Sequence, residues 1–169
     1  MFDDLVLGVD PGTAAIGLAV LQRGGDRTVV VWAGTLRTPA GLAPELRLRR
    51  LHQGVAKAIQ DHRPGALALE RLLWGRNTRS AMAVAQASGV IMLAAAEAGI
   101  PVAEYAPLEV KMAVTGVGDA SKEDVRRSLS RILRIDGVPD EPDAADAAAV
   151  AVCHLQQSRL RDLVNGAAR

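Results

Sequence analysis

The spacing of apolar positions along this chain changes from segment to segment, and each change marks a predicted element. Leu5-Val-Leu-Gly-Val-Asp10 is a short apolar run closed by a Pro11-Gly12 turn, as a buried strand would be. Ala15 to Leu21 predicts a second strand, and Gly24-Gly25 turns it into a third at Thr28-Val-Val-Val-Trp32. The period then lengthens. From Glu45 to His62 the residues Leu48, Leu51, Val55, Ala58 and Ile59 fall on one helical face, and Pro64-Gly65 stops the helix. Ala66-Leu-Ala-Leu-Glu70 predicts a fourth strand and Val102 to Tyr105 a fifth. Between them Asn77 to Ala98 predicts a long Ala-rich helix, closed by Gly99 and Pro101. Ser121-Lys-Glu-Asp124 has the form of a capping box opening another helix, with a core stripe of Val125, Leu129, Ile132 and Leu133. Gly137-Val-Pro139 ends it, and a last helix is expected from about Pro142 to Leu163.

Three successive antiparallel strands, then helix–strand–helix–strand, constrain the topology. Right-handed crossovers place strands four and five parallel to strand one, with helices on both faces. The expected architecture is therefore α/β, a ribonuclease H-like fold built on a five-stranded mixed sheet. The 169 residues suffice for one such core, expected over residues 1–164, with 165–169 as a flexible C-terminal tail. Met1-Phe2-Asp3-Asp4 leads straight into a strand, unlike a signal peptide. The apolar stretch Ser80 to Ala96 is interrupted by Gln86 and Ser88, short of the roughly 20 strongly apolar residues of a membrane span. A cytoplasmic protein without a membrane partner is expected.

Composition narrows the chemistry only slightly. Twenty basic and nineteen acidic residues nearly cancel, so any nucleic-acid footprint must come from local clustering. Seventeen of the basic residues are Arg, which suits bidentate phosphate contacts. The single cysteine, Cys153, excludes an internal disulfide or a cysteine zinc site and reads as a small buried residue. His52, His62 and His154 have no evident partners in the sequence and suit surface or satisfied positions better than catalysis.

The acidic residues say more. Asp10 ends strand one and Glu70 ends strand four, so parallel neighbouring strands would release both carboxylates at one end of the sheet. Asp143 and Asp146, three apart on the final helix, share a face. Singly, each has a plain reading: Asp10 as a turn former, Glu70 as a solvated strand end, and Asp143 and Asp146 as complements to a helix N-terminus. Together they suit phosphodiester hydrolysis assisted by two divalent ions roughly 4 Å apart. Hard oxygen ligands favour Mg²⁺, with Mn²⁺ as a substitute.

The motifs also carry a family likeness. Leu7-Gly-Val-Asp-Pro-Gly-Thr13 with Gly17, Leu69-Glu70 with Arg76-Asn77, Tyr105-Ala-Pro-Leu-Glu-Val-Lys111, Gly116-Val-Gly118, Ser121-Lys122 and Asp143-Ala-Ala-Asp-Ala147 follow one another in order. In this order the chain resembles the RuvC Holliday-junction resolvases along nearly its whole length. The resemblance implies that Asp10, Glu70, Asp143 and Asp146 ligate the metals. It also implies that Lys111 and Lys122 lie near the DNA backbone, Lys122 assisting at the scissile phosphate. It implies a homodimer that nicks a four-way DNA junction symmetrically and works with the RuvA–RuvB branch-migration complex. One departure concerns the wedge. Where some members of the family carry Phe three residues after the glutamate, this chain has Leu73, with Trp74 beside it. An apolar wedge there would stack on opened bases, worth about 1–3 kcal/mol per base; alternatively Trp74 caps the core.

Local charge supports a DNA partner. No acid lies between Glu70 and Glu97, while Arg71, Arg76 and Arg79 cluster after strand four. Arg127, Arg131 and Arg134 are expected along one face of the fourth helix, as a phosphate patch or, preferably, a solvated face. The long helix is apolar or small on almost every side, so it is either sandwiched between the sheet and the terminal helices or shared with a second subunit. Three other readings remain: a ribonuclease H-like nuclease acting on RNA or RNA–DNA hybrids, an actin-like ATPase suggested by Asp-Pro-Gly-Thr, and a non-catalytic junction-binding module. The ATPase needs a second phosphate loop that nothing after Glu70 supplies, and the binding module gives no reason for four carboxylates.

Overall fold

The computed structural model describes residues 4–12, 14–25, 27–71 and 78–167, with 78–79 and 159–167 described as backbone only. Strands β1 (Leu5–Pro11), β2 (Ala15–Gly24), β3 (Arg27–Arg37), β4 (Ala66–Glu70) and β5 (Val102–Tyr105) form one sheet in the order β3-β2-β1-β4-β5. β1 is antiparallel to β2 and β2 to β3, whereas β4 is parallel to both β1 and β5. That is the expected mixed sheet. The hairpin strands are longer than their apolar runs, because backbone pairing continues past the last buried side chain.

Alternation along the central strands feeds two unlike cores. One face presents Leu7, Val9, Ile16, Leu18, Val20, Leu67 and Leu69 to helices α1 (Pro44–His62) and α2 (Thr78–Glu97). The other face is built from smaller residues, Ala19 and Ala68 among them, and receives helix α5 (Pro142–Ala167) through Ala147, Ala148 and Ala151. Leu51, Val55, Ala58 and Ile59 of α1 are buried as their spacing requires, while Leu48 is half-buried. The α5 helix continues to Ala167, past the expected end at Leu163 and into the proposed tail; 168–169 lie outside the described residues.

Three expectations change. No element was expected between β5 and Ser121, yet Pro107–Thr115 forms α3, begun by Pro at the first turn and ended by Gly116 at φ 75°. Helix α4 (Lys122–Arg127) has the expected capping box, with Ser121 and Asp124 each accepting the other's backbone N–H, but it then widens into a π turn over Ser128–Ile132. The extra residue in that turn rotates the apolar stripe. Val125 and Leu129 remain buried, Leu133 packs partly against the core, Ile132 is turned out to solvent, and Ile135 enters the core. Arg134 lies beyond the turn at φ 52°, so it does not share a helical face with Arg127 and Arg131. Arg127 itself pairs with Glu123 and Asp124.

The third change concerns α2. It packs beside α1, whereas α5 covers the opposite face of the sheet, so the terminal helix does not sandwich α2. Ser80–Glu97 is, contrary to expectation, long and apolar enough by length and composition to pass as a membrane span. In the fold, Ala81, Val84, Ala87, Ile91, Ala94 and Ala95 of this helix are buried. Met82, Ala85, Gly89, Leu93 and Ala96 form an exposed stripe on the other side.

Candidate active site

The parallel register sets the first two carboxylates. Val9 pairs with Leu69 and Glu70 with Tyr105, so β1, β4 and β5 end together and Asp10 and Glu70 emerge side by side. Immediately after β5, α3 begins and carries Lys111 over this edge. Glu109 secures its start by accepting the Ala106 N–H at 2.7 Å, and Ser128 Oγ donates to the Val114 carbonyl near its end. The N-terminal end of α5 brings Asp143, whose charge in the first turn complements the positive end of the helix, and Asp146 one turn further on.

Asp10, Glu70 and Asp146 line one cavity of about 110 Å³ together with Lys111 and Lys122, over walls that include Val110, Val125 and Ala149. Asp143 is not in that lining but is close enough for its charge to act on Asp10. Lys122 Nζ donates to Asp146 Oδ2, and this bond holds the ammonium pKa above its usual value. Burial, then the charges of Asp146 and Asp143, raise Asp10 from 3.8 to about 6 despite Lys122. Burial, then Asp10 and Asp146, raise Glu70 from 4.5 to about 7 despite Lys122 and Lys111. The two lysines therefore do not offset the cost of gathering these carboxylates.

The donor set fits a hard divalent cation, being all carboxylate and short of positive charge. Among the described residues no three metal-ligating side chains yet converge on one point, and Lys122 is bonded to one of the donors. Ligation of such an ion would need these side chains to turn from the orientations seen here.

The raised carboxylates have a measurable consequence for folding. In both groups the folded pKa exceeds the unfolded one, so the native state holds extra protons between about pH 4 and 7. Stability from these groups is full below pH 4 and is lost as pH rises through 6 to 7. The loss is on the order of 3 kcal/mol for either group alone, and less than twice that for the interacting pair. In EDTA, Glu70→Gln should flatten the fall in Tm between pH 5 and 8; equal slopes for variant and wild type would contradict this account.

The family model for crossover junction endodeoxyribonuclease RuvC matches residues 6–154, nearly the whole of this fold. The chain belongs to the RuvC family. A crossover junction endodeoxyribonuclease RuvC of Moorella thermoacetica is 46% identical over 150 residues, covering 89% of this chain and 90% of the relative. The Syntrophomonas wolfei protein of the same name is 42% identical over 163 residues, covering 96% and 95%. Among solved structures, Thermus thermophilus RuvC in complex with Holliday junction substrate superposes with a TM-score of 0.84 at 33% identity, covering 92% of this chain and 95% of that one.

In this RuvC-family chain, five expected site residues meet at one place: Asp10, Glu70, Asp146, Lys111 and Lys122. Leu73, Trp74, Arg76 and Asn77 lie outside the described residues, as does the side chain of Arg79. Sequence reasoning missed α3 as the element that carries Lys111, although Pro107, Glu109 and Gly116 are ordinary helix start and stop signals. The histidines have structural partners: His52 pairs with Glu97, His62 stacks on Trp32 at 4.9 Å, and buried His154 shares a 2.9 Å hydrogen bond with Tyr105. Cys153 is buried, and burial pushes its thiol up to about 11, as its apolar surroundings suggested.

Proposed function

We propose that this chain resolves four-way DNA junctions as a metal-dependent endodeoxyribonuclease. The observation that carries this reading is the cavity in which Asp10, Glu70 and Asp146 stand beside Lys111 and Lys122, within a RuvC-family fold. Asp10, Glu70, Asp143 and Asp146 would hold Mg²⁺, or Mn²⁺ in its place, as two ions. Bound there, such ions supply an activated water and charge stabilisation at the leaving oxygen. The protein's own contribution is to orient and discriminate. Lys111 and Lys122 receive the phosphate beside the carboxylates. Catalysis therefore acts on the backbone, and junction choice falls to the surrounding surface. By family resemblance, Leu73, Trp74, Arg76, Asn77 and Arg79 are assigned to DNA contacts. The decisive test is cleavage of a synthetic four-way junction with Mg²⁺. Paired nicks at the junction, in preference to linear duplex, support the reading; preferential cutting of RNA–DNA hybrids would replace its substrate.

A twofold-symmetric substrate calls for two sites, hence a homodimer. The exposed stripe of α2 supports one: Met82 and Leu93 are 54% and 50% exposed, and Gly89 between them has open space around it. Leu93→Glu should shift the protein to monomer in sedimentation analysis and uncouple the two nicks, so that circular junction substrates accumulate single cuts. A dimer that survives this charge would move the interface elsewhere. Partnership with RuvA–RuvB and a cytoplasmic location follow as parts of the same proposal.

A further inference from the structure

The sheet face under α5 is unusually shallow at its catalytic end. Gly8 and Gly17 stand there, and neither has a positive φ, so backbone conformation does not require glycine at either place. Space does. A Cβ on Gly17 would lie 1.8 Å from the carbonyl oxygen of Asp143 and 2.4 Å from its carbon. A Cβ on Gly8 would lie 2.1 Å from the carbonyl oxygen of Ala147, one turn further along the same helix. These obstacles are backbone atoms, which cannot turn aside as a side chain can. Gly17 is moreover the direct antiparallel partner of Asp10. Paired residues project to the same face, so the empty side of Gly17 adjoins the Asp10 carboxylate.

We infer that Gly17 is a positioning residue of the carboxylate centre: by lacking a side chain it lets the first turn of α5 settle on β2, bringing Asp143 within range of Asp10. Aspartate is short, its carboxyl carbon only two bonds from Cα, so it cannot recover a lost approach by extending. Placing Ala at position 17 would force the Asp143 carbonyl back by about 1.6 Å to regain ordinary contact at 3.4 Å. One further methylene restores about 1.5 Å of reach. Glycine on one strand thus sets the required length of an acid on a helix far away in sequence. The inference rests on the metal-binding part of the proposed function and concerns only how that site is assembled.

The test is Mn²⁺ binding by calorimetry, without DNA, on variants shown to be folded by circular dichroism. Gly17→Ala should weaken Mn²⁺ binding at least about tenfold, the scale seen when supporting contacts of a metal site are disturbed. Gly24→Ala, in the same strand but with nothing within 4 Å, should bind as wild type does. The sharper readout is a change of sign. Asp143→Glu should weaken Mn²⁺ binding in the wild-type background and strengthen it in the Gly17→Ala background, which loss of stability alone would not produce. If Gly17→Ala does not fold, Gly8→Ala with Asp146→Glu repeats the comparison one turn along the helix. Wild-type affinity in folded Gly17→Ala, or the same penalty for Asp143→Glu in both backgrounds, would overturn the inference. Failure of the nuclease reading has another signature, a wild-type chain that neither binds Mn²⁺ nor cuts a junction, and the inference would fall with it.

Discussion

Asp10→Asn should cut a four-way junction slower than the wild-type chain by a factor of about a thousand or more, while binding it at least as tightly. The substitution keeps the shape of the side chain and its place beside Glu70 at the parallel strand ends. What it removes is the charge that a divalent ion would need. A thousandfold loss corresponds to about 4 kcal/mol of transition-state stabilisation, well beyond the cost of an exposed ion pair. Binding should not suffer, because one negative charge fewer faces the phosphates. Stability should move the opposite way to activity. Asp10 is destabilised by burial and by Asp146, so the metal-free variant should melt higher than wild type at pH 8. Lower activity with a higher Tm distinguishes a lost ligand from a damaged fold. Junction cleavage at wild-type rates would remove Asp10 from the active site.

The second large effect is expected at Lys122. Its side chain is 79% exposed at the rim of the cavity, yet its ammonium is bonded to the more buried Asp146. It is thus anchored by a residue of the centre while remaining open to an arriving phosphate. Lys122→Met retains the length of the side chain and removes the charge. Loss of one charged donor to a developing oxyanion typically costs about 10²–10³ in rate. Single-turnover cleavage should slow by that factor with little change in junction affinity, since one phosphate contact among many contributes modestly to binding. Lys111→Met provides the comparison. Lys111 lies on another helix and acts electrostatically on Glu70. A much smaller effect at Lys122 than at Lys111 would reassign the catalytic cation.

The candidate site was legible in the sequence to different depths. Asp10 and Glu70 could be found because each closes a short apolar run, and strand ends are readable when a strand stops at a turn or a charge. Asp143 and Asp146 could be paired from their three-residue spacing. Lys111 was located by likeness to a family alone, since its helix went unrecognised. The Ile132 expectation failed for another reason. A regular 3.6-residue period was extended across Ser128–Ile132, where the backbone inserts a residue and turns the stripe. Nothing in Ser-Leu-Ser-Arg-Ile announces that insertion, and the turn's tie to α3, the bond from Ser128 Oγ to the Val114 carbonyl, joins residues fourteen apart.

By itself, then, the amino-acid sequence determined the five strands, their order, the mixed sheet and the start of every α-helix except α3. These depend on local periodicity, capping and crossover handedness, which neighbouring residues specify among themselves. Only the tertiary structure decided how the carboxylates meet. The opposition of Gly17 to Asp10, the seating of Asp143 over Gly17 and the bond from Lys122 to Asp146 all join residues distant along the chain. The raised affinities of Asp10 and Glu70 for protons likewise arise from burial and from charges that other elements bring in. Proximity of this kind is set by how closely a helix packs on a sheet, and that distance is fixed where the two surfaces touch.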